Sequence, residues 1–332
     1  MSTTIKAIKN NKKESLIYCS LIFVGSLVFR LYYFPYDLPV VVDGLNYFFY
    51  ATEISMLQNL PQNWMANGEC ICVINNGWPI FLSFWFSIIQ LEETQQYMEL
   101  QKVLTVVLSS ATIVPVYLIC KNFVDVKYAI IGAILFGIDP RIILNSLLGS
   151  TDPLYILLGA ISLALLLQSD KKFTYLAFVF AAFCTIVRGE GIFFVLAITL
   201  IFFIKNKINF ESIKIFIPSI IIFSVILIPI LLQRIEIYGS DGVFLRISQA
   251  AIETSVAANT DKYQNIFSGI ELFFKYLIWV LIPNFILFVP LTIIYFVKTR
   301  LKENKFIIIF LTIMSIPALY AYMVPAQDTR YL

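Results

Sequence analysis

The sequence predicts an all-α polytopic membrane protein of about nine transmembrane helices, with one further interfacial helix on its outer face. Three observations predict it. The 332 residues are 59% hydrophobic and only 14% charged, with a mean hydropathy of +0.83. A soluble domain keeps about 25% charged residues, because its surface faces water, so lipid must replace water over much of this surface. Apolar runs near membrane length recur along the chain, and lysine and arginine sort into alternate loops between them.

The first element is a basic tail, MSTTIKAIKNNKKES, before the apolar run 16–34. That run is too long for a signal-peptide core, and no small-residue cleavage site follows it. It reads as a retained first helix. Further spans are predicted at 98–120, 128–148, 153–168, 173–187, 191–204, 213–233, 272–297 and 306–324. A span needs about 20 apolar residues, so the shorter ones require tilt or local thinning. The stretch 78–91, WPIFLSFWFSIIQL, is shorter and rich in aromatics, and reads as the interfacial or re-entrant helix. Pro218, Pro229, Pro283 and Pro290 inside apolar runs predict kinks rather than breaks.

Charge sets the orientation. With the N-terminus cytoplasmic, Lys6, Lys9, Lys12 and Lys13 lie inside. So do Lys121 and Lys127; Lys171 and Lys172; Lys205, Lys207 and Lys214; and Lys298, Arg300, Lys302 and Lys305. Those fifteen of the 24 basic residues are accompanied by only five acids, Glu14, Asp125, Asp170, Glu211 and Glu303. Residues 173–204 could instead form one long helix. That would move Lys205 and Lys207 outside, so the charge rule prefers two helices joined by an outer turn, Arg188-Gly189-Glu190-Gly191. The whole chain, 1–332, then reads as a single transmembrane domain with long outer segments at 35–97 and 234–271.

Composition also narrows the chemistry. The sequence has no histidine, the commonest general base and zinc ligand. A net charge of +3 gives no nucleic-acid footprint. Cys19, Cys120 and Cys184 lie in apolar runs and read as core residues. Cys70 and Cys72, one residue apart, suit neither a relaxed disulfide nor a metal site.

Ionisable groups bordering membrane helices are functional candidates by default. Under this topology several reach the outer side: Asp43; Asp139-Pro140-Arg141; Thr151-Asp152-Pro153; Arg188-Gly189-Glu190; and Arg330. Two carboxylates and two or three arginines there suit a nucleophile that needs a base and a leaving group that is an anion. Each has a plainer structural reading. Asp43-Gly44 also suits a turn, and Asp152-Pro153 a helix N-cap with proline at the first helical position. Asp139 reads as a buried polar anchor. Arg188 and Glu190 also suit a solvated turn, and Tyr47 to Tyr50 also suit interfacial packing.

The order of these elements is an inner basic tail, a first helix, an outer loop opening on Asp43-Gly44-x-x-Tyr47, a helix led by Trp78-Pro79, two helices, and Thr151-Asp152-Pro153. It resembles the C-fold (GT-C) superfamily of integral-membrane glycosyltransferases. The likeness is strongest to the family of protein O-mannosyltransferases and lipid A aminoarabinose transferases. The resemblance implies a polyprenyl-phosphate-linked sugar as donor and a protein, lipid or glycan hydroxyl as acceptor. It implies Asp43 as the essential first-loop acid and Asp152 as the second. Arg188 and Arg330 take the phosphate-facing positions, with Glu190, Arg141 and Tyr47 as further substrate contacts. No metal or other cofactor is implied. The family's usual Lys/Pro-Pro start to the interfacial helix is replaced here by Gly77-Trp78-Pro79. Relatives also continue past the Arg330-Tyr331-Leu332 segment, so a C-terminally incomplete domain is expected. Oligosaccharyltransferases are the alternative within the superfamily; DGLNYFFYAT and GSTDP are similar to their acidic motifs, and they would add a divalent ion such as Mg or Mn. A transporter or flippase is the alternative outside it, and would place acids near the bilayer midplane.

Overall fold

A computed structural model describes residues 2–40, 43–61, 65–66, 69–70, 76–168, 170–239, 241, 243, 266–281, 290, 294 and 305–323. Their regular structure is helical apart from one two-residue antiparallel pair, β1 (Met65–Ala66) with β2 (Glu69–Cys70). The chain divides into two compact units, Met1–Phe180 and Ala181–Leu332.

In the first unit, α1 (Ser2–Tyr32) runs unbroken from the basic tail through the first apolar segment. Among the described residues between α1 and residue 93 there are two helices, not the single one expected. They are α2 (Asp43–Leu57) and α3 (Gly77–Ile88), packed on each other with the Phe48 and Phe86 rings edge-on at 5.7 Å. Next come α4 (Thr94–Ala111) and α5 (Ile113–Lys121), which together form a 28-residue apolar rod. The hitch at Thr112 has a cause in Pro115, which has no N–H to give to the carbonyl of Ala111. The Thr112 hydroxyl folds back onto the Leu108 carbonyl at 2.9 Å.

The predicted span 128–148 is bent. α6 (Val126–Ile138) meets α7 (Pro140–Ser146) at 51°. In a continuous helix the Gly137 carbonyl would receive the Arg141 N–H. Here that N–H donates to Asp139 Oδ1 at 2.9 Å, as does the Ile142 N–H at 3.1 Å. Asp139 is therefore the buried cap of α7, as expected. The orphaned Gly137 carbonyl is met from α1 instead, by Ser26 Oγ at 3.1 Å and Arg30 Nη1 at 2.9 Å. Arg30 also contacts Ser26 Oγ, and its Nη2 donates to Ser109 Oγ of α4 at 3.3 Å. A fully buried arginine thus ties α1, α4 and the helix break together.

After α7 come α8 (Asp152–Leu167) and the first part of α9 (Lys171–Val187), joined by a bond from Ser162 Oγ to the Ala177 carbonyl at 2.7 Å.

In the second unit, α9 ends at Val187 and α10 (Gly191–Asn206) begins after a three-residue turn, so 173–204 is two helices. The reversal is tight. A methyl group added at Gly191 would stand 2.5 Å from Thr185 Cα and 2.7 Å from its nitrogen. α11 (Phe210–Tyr238) is capped by Asn209, whose side chain accepts the Ser212 N–H at 2.8 Å. It continues through Pro218 and Pro229 and ends at Gly239, in the left-handed region with φ of 68°. Ile217, Ile221, Val225, Ile228 and Leu232 form an exposed apolar stripe along it, a surface suited to lipid rather than water. α13 (Lys305–Met323) packs against α10 and against α12 (Ile266–Leu281). Pro283 lies outside the described residues, as does most of the outer segment 234–271.

Among the described residues, two helices are long and apolar enough to cross a bilayer, Thr94–Lys121 and Phe210–Tyr238, and the bent pair α6–α7 makes a third if it counts as one span. Shorter apolar helices include Ile17–Tyr32, Gly77–Ile88, Asp152–Leu167, Gly191–Asn206 and Lys305–Leu319. This is the helical architecture of a membrane protein.

Gly191→Ala forces backbone apart at the α9–α10 turn. It is expected to cost about 1–3 kcal/mol, the usual penalty of overpacking, seen as a lower melting temperature in detergent. Gly25→Ala, with nothing within 4 Å of the added methyl, is the control and leaves the melt unchanged or slightly raised.

Candidate functional site

The Asp43 and Asp152 motifs are brought together in the first unit by three backbone features. α2 starts at Asp43, and the next residue, Gly44, lies against the loop between α7 and α8. A methyl at Gly44 would stand 2.7 Å from the Leu148 carbonyl oxygen, so only glycine permits this approach. Gly149, in the same loop, has φ of +69°, a conformation costly for any other residue. Its Cα is hemmed in too, since a methyl there would lie 3.0 Å from Val40 and 3.1 Å from the Gln101 amide nitrogen.

Polar side chains then fix the contact. Gln101 of α4 is fully buried, and its Nε2 donates to the Gly44 carbonyl at 2.9 Å and to the Gly149 carbonyl at 2.7 Å. Trp78, fully buried at the start of α3, donates its indole N–H to the same Gly149 carbonyl at 3.1 Å. It is a buried structural donor. Thr105 donates to the Ser146 carbonyl at 2.7 Å. Lys102 reaches the Pro35 and Leu38 carbonyls at 2.5 and 2.6 Å, with its ammonium 5.0 Å from the centre of the Phe34 ring. The chain between α1 and α2 is thereby held down just before Asp43.

Asp152 is buried and accepts the Ser150 hydroxyl at 2.9 Å through Oδ2. The plainer reading of its motif makes it the cap of α8. Instead Thr151 occupies the cap position, makes no side-chain cap bond, and Asp152 is the first helical residue with Pro153 behind it. The carboxylate still sits where the helix N-terminus favours negative charge. A cleft beside it is lined by Ser109, Thr112, Ile142 and Asn145 among others. Its free volume is about 10 Å³, enough for roughly one water and far too small for a sugar. Tyr47 and Arg141 are half-buried, on α2 and α7.

In the second unit, Arg188 and Glu190 form a part-buried ion pair across the α9–α10 turn, with both Nε–Oε2 and Nη2–Oε1 at 3.4 Å. The Gly189 Cα faces Val243. Val243 N–H donates to Asp241 Oδ1 at 2.7 Å, and buried Arg234 donates through Nε to the Asp241 carbonyl at 3.0 Å. A second arginine therefore anchors the segment that the turn abuts. Arg330 lies outside the described residues.

Reasoning from sequence missed Arg30, Gln101, Lys102 and Arg234. The signal was present, because each is a polar residue within or at the end of an apolar run.

Gly44→Ala is expected to push α2 off the α7–α8 loop. The test is limited proteolysis of the membrane-embedded protein, which should open new cleavage near residues 43–50 and 147–151 while leaving the second unit intact. No family model matches this chain, and no curated protein matches it in sequence.

Proposed function

We propose that the chain is a membrane glycosyltransferase of the GT-C kind, moving a sugar from a polyprenyl-phosphate donor to an acceptor hydroxyl on the extracytoplasmic face. The observation that carries this reading is the apposition of two acidic motifs, about 110 residues apart in sequence, at the start of two helices. In this reading the chain crosses the bilayer about nine times with its N-terminus cytoplasmic, as the lysine and arginine distribution favours.

Asp43 acts as general base. The acceptor oxygen attacks the anomeric carbon, its proton passes to Asp43, and the bond from that carbon to the phosphate oxygen breaks. One displacement inverts the carbon and releases polyprenyl phosphate. Asp152 orients the reacting sugar or acceptor. Arg188 is assigned the leaving phosphate from its chemistry and place in the sequence, because a planar guanidinium matches phosphate oxygens with two donors. Arg330 shares that assignment, and Tyr47, Arg141 and Glu190 are further substrate contacts. The lipid tail of the donor stays in the bilayer, so the enzyme meets its donor without extracting it from lipid.

The test is transfer of radiolabelled sugar from polyprenyl phosphate in proteoliposomes. Asp43→Asn keeps the shape and removes the base; general-base catalysis contributes roughly 10²–10⁴-fold, so a rate loss of that order is expected with the melting temperature retained. Arg188→Lys keeps the charge but not the fork, and should raise the KM for the donor. Undiminished transfer by Asp43→Asn would remove it as the base. A strict requirement for Mg or Mn, lost in EDTA, would favour the oligosaccharyltransferase-like mechanism.

A further inference from the structure

Gln101 is an amide placed inside an apolar span and excluded from solvent. Burying an amide there costs several kcal/mol unless its hydrogen bonds are made. Both its partners are backbone carbonyls, so the orientation of the amide follows: the NH₂ group must face them, and Oε1 points away. Oε1 has no partner among the described residues.

The two carbonyls are the ones that matter. Gly44 follows Asp43 directly. Gly149 precedes Ser150, whose hydroxyl holds the Asp152 carboxylate at 2.9 Å. A short chain of bonds thus runs from Asp152 through Ser150 and Gly149 to the Gln101 amide, then to Gly44 and Asp43. Gly149 brings its carbonyl into this arrangement only in the left-handed conformation, and that carbonyl's second donor is Trp78.

We propose that Gln101 is a positioning residue: its single amide group sets the spacing of the Asp43 and Asp152 motifs and so controls the transfer step. The structural half of this stands on the hydrogen bonds. The catalytic half rests on the transferase reading above. Gln101 touches neither reacting atom in that reading; it fixes where the carboxylates stand. A displacement of about 1 Å from productive geometry can cost on the order of 10²-fold in rate.

The experiment uses the full chain in proteoliposomes, with hydrogen–deuterium exchange and sugar transfer measured side by side. Gln101→Met keeps the volume and removes both donors. Gln101→Asn keeps the amide but is one methylene too short, and serves if the methionine variant does not insert. Ser162→Ala, which deletes a buried bond elsewhere in the unit, controls for general loosening. Exchange should rise together in segments 43–50 and 147–155 for both Gln101 variants and in neither segment for Ser162→Ala. Transfer should fall about ten- to hundredfold in kcat, with the KM for polyprenyl-phosphate sugar unchanged. Exchange that rises in only one segment, or in neither, overturns the proposal. So does a joint rise in exchange with kcat intact. If the unaltered chain transfers no sugar from any polyprenyl-phosphate donor, the transferase reading fails, while the exchange result still decides whether Gln101 couples the two motifs.

Discussion

The first unit depends on one constraint: the polar face of α4 lies inside an apolar assembly and must find partners there. Water cannot satisfy Gln101, Lys102, Thr105 and Ser109, all buried on this helix. Their spacing, with 101, 105 and 109 four apart, puts them along one side. Gln101, Lys102 and Thr105 reach the carbonyls of segments that are not part of α4: the chain after α1, the first turn of α2, the end of α7 and the loop before α8. Ser109 receives Arg30 from α1. A helix with such a face selects one arrangement of its neighbours. Any other register would leave a buried ammonium and an amide unmatched, at a cost of several kcal/mol each.

The same logic explains the bend between α6 and α7. Pro140 removes one N–H, and Asp139 diverts two more into a cap. Breaking a helix in an apolar setting frees carbonyls that need donors. Arg30 and Ser26 answer that need at Gly137. The arginine is therefore a consequence of the break, and the break brings α7 and its following loop back toward α4, where Gln101 and Thr105 can hold them.

Much of the fold was legible because apolar run length and lysine placement are local signals. The division of 173–204 into α9 and α10 followed from Lys205 and Lys207, whereas the bend inside 128–148 was not anticipated, although Pro140 lies at it. α2 is not evident from the run of aromatics after Asp43, although Gly44, Phe48 and Ala51, all buried, lie at helical spacing. The pairing of Gln101 with Gly44 and Gly149 spans 57 and 48 residues. Nothing in one sequence encodes such a partner, because a buried glutamine states only that it needs two acceptors. The tightness at Gly44 and Gly191 was equally hidden, since a glycine shows that a side chain is absent but not what lies against it.

Helix breaks are where polar residues collect in this chain, and that raises a general ambiguity. A carboxylate at a helix start can serve the backbone or the chemistry. Asp139 serves the backbone: its Oδ1 takes two amide hydrogens of the first turn of α7. Asp152 differs. The cap position of α8 belongs to Thr151, and the Asp152 carboxylate accepts a hydrogen bond from a hydroxyl, Ser150, a group able to donate or accept. A buried carboxylate supported by a rotatable hydroxyl and adjoining a cleft sits in a different environment from one that caps a helix. One that accepts two backbone amides is tied to the start of its helix. That distinction places Asp139 with Arg30 on the side of structure and, in the transferase proposed above, leaves Asp152 and Asp43 to the chemistry.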